Sequence, residues 1–363
     1  MKNIFKKWAD RYFSDPQILT LAILLVVSFA FIYALGRMLT PVIAAVIIAY
    51  LLESPASRLE RFKLPRNLSV LLVFIVFMAF LLALLILLLP ALFGQISQFL
   101  QDLPSMVKNG QVQLMGLPER YPDIISQSQI KEVMDALMGD LTNMGQRLLS
   151  FSLSSVKGLI TILVYLVLVP LLVFFFLKDK KKIIVWLQKF LPKESGMAAD
   201  VWKEVNLQVA NYVRGKIWEI FIVGMVSYIV FLFLGLKFAS LLAVIVGLSV
   251  IVPYIGATVV TIPVGVMAFF QWGFGHDLAW TLIAYGIIQA LDGNLLVPLL
   301  LSGVVNLHPV AIIVAVLVFG GLWGIWGLFF AIPLATLVHA VIRAWFSRIR
   351  DMDEKKEAEK AAC

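Results

Sequence analysis

Apolar residues occur in long unbroken runs along this chain, without the apolar–polar alternation of strands. Runs at 17–35, 68–93 and 153–177 have the length of helices that cross a bilayer, which need about 20 apolar residues. A shorter run at 38–52 follows Gly36 and Arg37 and opens with Pro41, so 17–35 and 38–52 read as a hairpin. A fifth helix is expected over about 217–235. The pattern predicts an all-α polytopic membrane protein with about eight membrane segments.

The last third carries broken runs. Arms 239–252 and 255–271 are joined by Pro253-Tyr254-Ile255-Gly256. Arms 310–319 and 328–342 are joined by the glycine-rich stretch Gly320 to Gly327. A run at 279–301 lies between the two pairs. Helix plus broken pair therefore occurs twice, with Ile262-Pro263 and Ile332-Pro333 in comparable places. Interrupted apolar segments at matching places in two halves point to an inverted repeat with two re-entrant hairpins. Two ordinary pairs of full spans give the same charge parity and stand as the alternative.

Residues 94–152 follow another rule. Phe93, Ile96, Phe99, Leu100, Leu103 and Val107 recur at helical spacing, as do Ile130, Val133, Met134, Leu137, Met138, Leu141, Met144, Leu148 and Leu149. Two amphipathic helices broken by Pro118 and Pro122 are expected. Their apolar faces require a membrane surface, the transmembrane body or another subunit.

Charge then orients the chain. Of its 363 residues 61% are hydrophobic and 14% charged, too few charges for a soluble domain of this length. Continuous runs also exclude a β-barrel. The net charge of +8 sits in short basic stretches beside apolar runs, which fits the positive-inside rule rather than nucleic-acid binding. Lys2, Lys6, Lys7 and Arg11 place the N-terminus in the cytoplasm. Arg343, Arg348, Arg350, Lys355, Lys356 and Lys360 do the same for the C-terminus. Acidic Asp102, Glu119, Asp123, Glu132, Asp135 and Asp140 put 94–152 outside. The resulting division is 1–93 N-terminal transmembrane helices, 94–152 extracytoplasmic segment, 153–216 helix plus basic interfacial helices, 217–346 broken helices and hairpins and 347–363 charged tail. The sole cysteine, Cys363, allows no disulfide within the chain and no cysteine metal site.

The chemistry concentrates in 279–301. Asp292, with Gln289, Gly293, Asn294 and Pro298, sits inside a run otherwise apolar enough to span. Ionisable groups at that depth are costly and usually functional. Glycine and proline weaken the helix and free backbone groups for a solute or ion. Asp292 is therefore the first candidate for binding a cation, a proton or a polar solute, with Gln289 and Asn294 beside it. The tips at Pro253 and Gly256, and at Gly320 and Gly324, are expected to add backbone groups. Arg214 and Glu219 are candidates for gating or pairing, Arg214 with Asp292 in particular. The plainer reading of Arg214 and Lys216 is anchorage at the membrane interface. His308, before Pro309, reads as a helix cap ahead of a pH sensor.

No Walker A loop, His-Glu-x-x-His or Gly-x-Ser-x-Gly is present, and no paired acid–base constellation emerges, so an enzyme is not expected. No cofactor or bound metal is expected either.

Several motifs resemble the AI-2E transporter family. They are Asp292-Gly293-Asn294-Leu295-Leu296-Val297-Pro298 with Leu307-His308-Pro309, Tyr212-Val213-Arg214-Gly215-Lys216, Val252-Pro253-Tyr254-Ile255-Gly256, and Phe319-Gly320-Gly321-Leu322-Trp323-Gly324. The resemblance runs from about residue 8 to 346. It implies a multi-pass permease of the bacterial inner membrane, a homo-oligomer with a moving transport part. It also implies a small polar solute such as a signalling molecule, with H+ or Na+ coupling in some members. A sodium–proton antiporter and a non-transporting envelope scaffold are the alternatives.

Overall fold

The computed structural model describes residues 16–115, 156–189, 196–253, 255–301 and 307–362, with isolated positions at 128, 132 and 139. Among these residues every regular element is helical. In chain order they are α1 (Pro16–Arg61), α2 (Arg66–Ala83), a π-helical turn (Leu84–Leu88), α3 (Leu89–Met115), α4 (Val156–Lys178), α5 (Lys180–Gln188) and α6 (Gly196–Phe233). Then come α7 (Ala239–Ser249), α8 (Ile255–Trp272), α9 (His276–Leu291), a second π turn (Asp292–Leu296), α10 (Val297–Leu300), α11 (Pro309–Trp323), α12 (Ile325–Phe329) and α13 (Ala331–Ala362).

Among the described residues five helical stretches are long and apolar enough to cross a membrane: Met38–Arg61, Arg66–Val112, Val201–Phe233, Ile255–Trp272 and His276–Leu300. Their apolar side chains are widely exposed, among them Ile75, Val76, Phe80, Ile86 and Leu87 along α2 and the first π turn. Water would not tolerate so much contiguous apolar surface, whereas lipid does. This is a multi-pass membrane protein.

Two expectations need correction. No turn forms at Gly36-Arg37; α1 runs through as one 46-residue helix. A lone glycine costs a helix only about 1 kcal/mol, which the strongly apolar flanks override. The fifth helix begins well before 217, because the polar stretch from Gly196 is already part of α6. The pattern from Phe93 to Val107 is helical as expected and belongs to α3, where Leu103, Met106 and Val107 are buried. Its partner at 130–149 lies almost wholly outside the described residues.

The breaks in the last third fall where the sequence places them. α7 has 11 residues, about 17 Å, and α11 has 15, about 22 Å; both are short of the roughly 30 Å hydrocarbon core. After each break a glycine meets the end of the preceding arm. A Cβ on Gly256 would overlap the Ser249 carbonyl, and one on Gly327 would overlap the Phe319 carbonyl. Gly324 takes φ +61°, a conformation that glycine adopts without a Cβ penalty.

The chain groups into two compact units that interleave in sequence. One comprises 1–74, 168–215 and 300–363. Within it Arg66 joins α1 to α4: it pairs with Glu53 and Glu60, each at 2.8 Å, and donates to the Leu177 carbonyl. Phe74 meets Phe174 edge-on with centroids 5.3 Å apart, and Tyr212 meets Phe329 at 6.1 Å. Gly215 lets α6 approach α10 closely, since a Cβ there would lie 2.7 Å from the Leu300 carbonyl oxygen. His308 caps α11, its Nδ1 accepting from the Val310 N–H at 3.3 Å, with Pro309 as first helical residue.

The other unit comprises 75–167 and 216–299. Its core joins Met106 of α3, Val223 and Phe231 of α6, Leu242 and Val246 of α7, Val260 and Val264 of α8, and Tyr285 and Ile288 of α9. Polar stitches fix the short arm α7. The Gln95 side chain accepts from the Leu241 N–H at 3.0 Å, satisfying a first-turn donor that Phe238 leaves uncapped. Gln271 bridges the loop ahead of α7, accepting from Lys237 N–H and donating to the Gly235 carbonyl.

Candidate functional site

The candidate site lies in the second unit, at the end of α9. Here the helix widens. The Val297 N–H reaches back to the Asp292 carbonyl, five residues away, making the π turn Asp292–Leu296. Such turns are rare and frequent at functional sites. The residues involved are Asp292, Gly293 and Asn294, the polar group singled out in the sequence. Asn294 donates its side-chain amide to the Ala290 carbonyl at 2.8 Å, so it braces its own helix. Asp292 and Gln289 are half-buried, and each keeps a buried polar atom, Oδ1 and Nε2, without a hydrogen-bond partner.

Across the core, α6 supplies a buried ion pair. Lys216 Nζ contacts Glu219 Oε1 at 2.8 Å, with the two side chains 3% and 2% exposed. The same ammonium donates to the Val250 carbonyl at 2.7 Å. Val250 is the C-cap of α7, at the start of the tip that leads through Pro253 to Gly256. Glu219 Oε2 is buried without a partner. Asp292 interacts electrostatically with both Lys216 and Glu219. Three ionisable groups, from α6 and from the π turn, thus lie beside a core whose packing includes Ile220, Val250, Ile288 and Leu296.

The tip itself is largely self-satisfied. Val252 N–H bonds the Ser249 carbonyl at 3.0 Å, and Gly256 N–H bonds the Val252 carbonyl at 2.9 Å. Pro253 and Gly256 therefore shape the turn, while the Val250 carbonyl makes the contact with α6. Gly320 and Gly324 belong to the other unit, where Gly324 N–H bonds the Gly320 carbonyl at 2.8 Å.

Arg214 also belongs to the other unit, and its guanidinium lies 5.7 Å from the Tyr50 ring centroid. The cation joined to Asp292 electrostatically is Lys216. An interfacial anchor at Lys216 is thus overturned, since the residue is buried. The spacing Lys216-x-x-Glu219 was the available sign: opposite charges at i, i+3 meet on one helical face. Among the described residues no three His, Cys, Asp or Glu side chains gather as a metal site.

Membrane-crossing helices, a widened helix with an acid inside it and a buried ion pair beside it define a multi-pass protein of the membrane-transport class. The chain belongs to the AI-2E transporter family, whose model, "AI-2E family transporter", matches residues 21–347. It is 45% identical over 345 residues to the "Putative permease PerM" of Escherichia coli (strain K12), covering 95% of this chain and 98% of that protein. It is 29% identical over 330 residues to the "Putative transport protein YueF" of Bacillus subtilis (strain 168), covering 88% and 86%. The "Putative transport protein YrrI" of the same organism is 25% identical over 316 residues, covering 85% and 87%.

Proposed function

We propose that this protein is a secondary transporter that moves a small polar solute across the bacterial inner membrane, coupled to H+ or Na+. The carrying observation is the pair of unpartnered buried atoms, Asp292 Oδ1 and Gln289 Nε2, at a break in a membrane-length helix. Unsatisfied buried polar groups are expensive, and a bound ligand is one way to satisfy them. Asp292 takes the ion or solute, Gln289 lines the same place, and Asn294 holds the π turn open.

The short arms α7 and α11 support re-entrant hairpins in an inverted repeat, with α1 to α4 as scaffold and contact surface of a homo-oligomer. In this arrangement both termini are cytoplasmic. The test is flux in proteoliposomes, with internal pH followed under an imposed sodium gradient, wild type beside Asp292→Asn. Asparagine keeps the shape and removes the charge, so the expected result is a folded variant without coupled movement. Undiminished movement in that variant would exclude Asp292 from the transport site.

A further inference from the structure

The ionisable groups of this site do not pair off. Lys216 offers one positive charge against two carboxyl groups, Glu219 and Asp292, so with both ionised one negative charge would be left over in a largely buried cluster. Burying an unpaired charge is costly, and such a cluster demands a counter-charge. Among the described residues the remaining neighbours do not supply one. α7 and α8 contain no ionisable side chain, and α9 adds only His276 and Asp277 at its start and Tyr285. The Tyr285 hydroxyl is committed to the Ala257 carbonyl at 2.7 Å. α3 packs on the same core and carries Asp102 and Lys108, one charge of each sign. On α6 itself, Tyr228 is the one ionisable residue C-terminal to Glu219; on the N-terminal side Asp200, Lys203, Glu204, Tyr212 and Arg214 belong to the other unit, where Arg214 lies over the Tyr50 ring.

A second observation points to a ligand. Glu219 is almost fully buried, yet Oε2 has no partner while Oε1 holds Lys216. Asp292 Oδ1 is likewise free. Two acceptor oxygens and one missing positive charge are what a single monovalent charge would satisfy; a divalent ion would overshoot.

Lys216 also has a second commitment. Its ammonium bridges Glu219 and the Val250 carbonyl, so it ties the α7–α8 tip to α6. Whatever neutralises Glu219 weakens the pull that keeps Lys216 in place. We propose that Glu219 and Asp292 jointly take one monovalent positive charge, a proton or an alkali cation, and that Lys216 transmits its arrival to the tip. This rests on the transport reading above, and it makes Lys216 a positioning residue.

The full-length protein is tested in nanodiscs. Cys363→Ser removes the native thiol, and Ile251→Cys places one in the tip. The alkylation rate with N-ethylmaleimide is followed as pH falls without sodium, then as sodium or potassium is added at fixed pH. Coupling between sites is commonly about tenfold, so a rise of roughly that size is expected in one arm. A response to pH alone identifies a proton, and a response to salt at fixed pH identifies an alkali cation. Glu219→Gln and Asp292→Asn should each abolish it. Lys216→Met alone strands the buried Glu219 carboxyl, so it is paired with Glu219→Gln, which keeps the net charge. That double variant should show a high rate that ignores both variables. A response that persists in the double variant overturns the proposal. So does a constant rate in the wild-type background, even where Asp292→Asn abolishes flux and the transport reading survives. A response beside undiminished Asp292→Asn flux upholds the switch and sinks the transport assignment instead.

Discussion

Two clusters of charge in this chain use the same chemistry to different ends. In one unit, Arg66 gathers Glu53, Glu60 and the Leu177 carbonyl, and Lys180 adds a contact to Glu53 at 3.1 Å. In the other, Lys216 gathers Glu219 and the Val250 carbonyl with Asp292 nearby. Both tie helices through a cation and a backbone carbonyl. They differ in burial and in completeness. Arg66 is 28% and Glu53 17% exposed, and Ser57 donates to Glu53 as well. Two acids meet two bases there, so the charges balance. In the Lys216 cluster the ion pair is sealed, Asp292 is half-buried, and two acceptor oxygens are left over. A balanced, partly wet cluster is a fastener; a mostly buried one with acceptors to spare can take a ligand.

The sharpest way to break this comparison is to remove each cation. Lys216→Met leaves the buried Glu219 carboxyl without its counter-charge, and the half-buried Asp292 beside it. Breaking a buried pair in this way costs about 3–5 kcal/mol, so unfolding in detergent should move to markedly lower temperature. Adding Glu219→Gln should recover most of that loss. A single variant as stable as wild type would show that water reaches the cluster, and the contrast would collapse.

How much of this was readable beforehand follows from what a linear pattern records. Asp292 stands out because a charge inside an apolar run is an anomaly in one dimension. The breaks at 250–254 and near Gly324 are legible for the same reason, glycine and proline being local signals. The π turn is readable only as weakness, since helix type depends on which carbonyl each N–H finds. Lys216 escapes because it lies at the edge of a run, two residues after Arg214, where a basic residue looks like an interfacial anchor. Its burial comes from α7 packing on α6, where Gly247 would put a Cβ 2.9 Å from the Ile220 carbonyl oxygen. That approach is long-range and leaves no periodic trace. The continuity of α1 through Gly36 is hidden for the opposite reason: a local breaker is present, but its cost of about 1 kcal/mol is too small to end a strongly apolar helix.

A smaller effect tests whether the tip matters to the buried cluster. Gly256→Ala sets a methyl against the Ser249 carbonyl, and backbone cannot step aside as a side chain can. Overpacking of this kind costs about 1–3 kcal/mol. The displaced tip carries the Val250 carbonyl away from Lys216, so transport should fall with stability. Gly286→Ala, in α9 and outside the π turn, is the control, since a Cβ there meets nothing within 4 Å. Equal losses in both would mean that glycine's flexibility, not the close approach, is what each position supplies.

The smallest effect is expected at the balanced cluster. Arg66→Gln removes two ion pairs at once, but both are partly exposed, and such pairs contribute roughly 0.2–1 kcal/mol each. The acids left behind keep access to water and to Lys180, so no uncompensated buried charge results. Stability should fall slightly, and the loss should shrink further in high salt, because screening acts on exposed pairs far more than on sealed ones. Flux per folded molecule should stay at the wild-type level. The same salt series on Lys216→Met should leave its deficit unchanged. If Arg66→Gln instead matched Lys216→Met in size and in indifference to salt, exposure would not separate the two clusters. The surplus charge alone would then have to distinguish the site from the fastener.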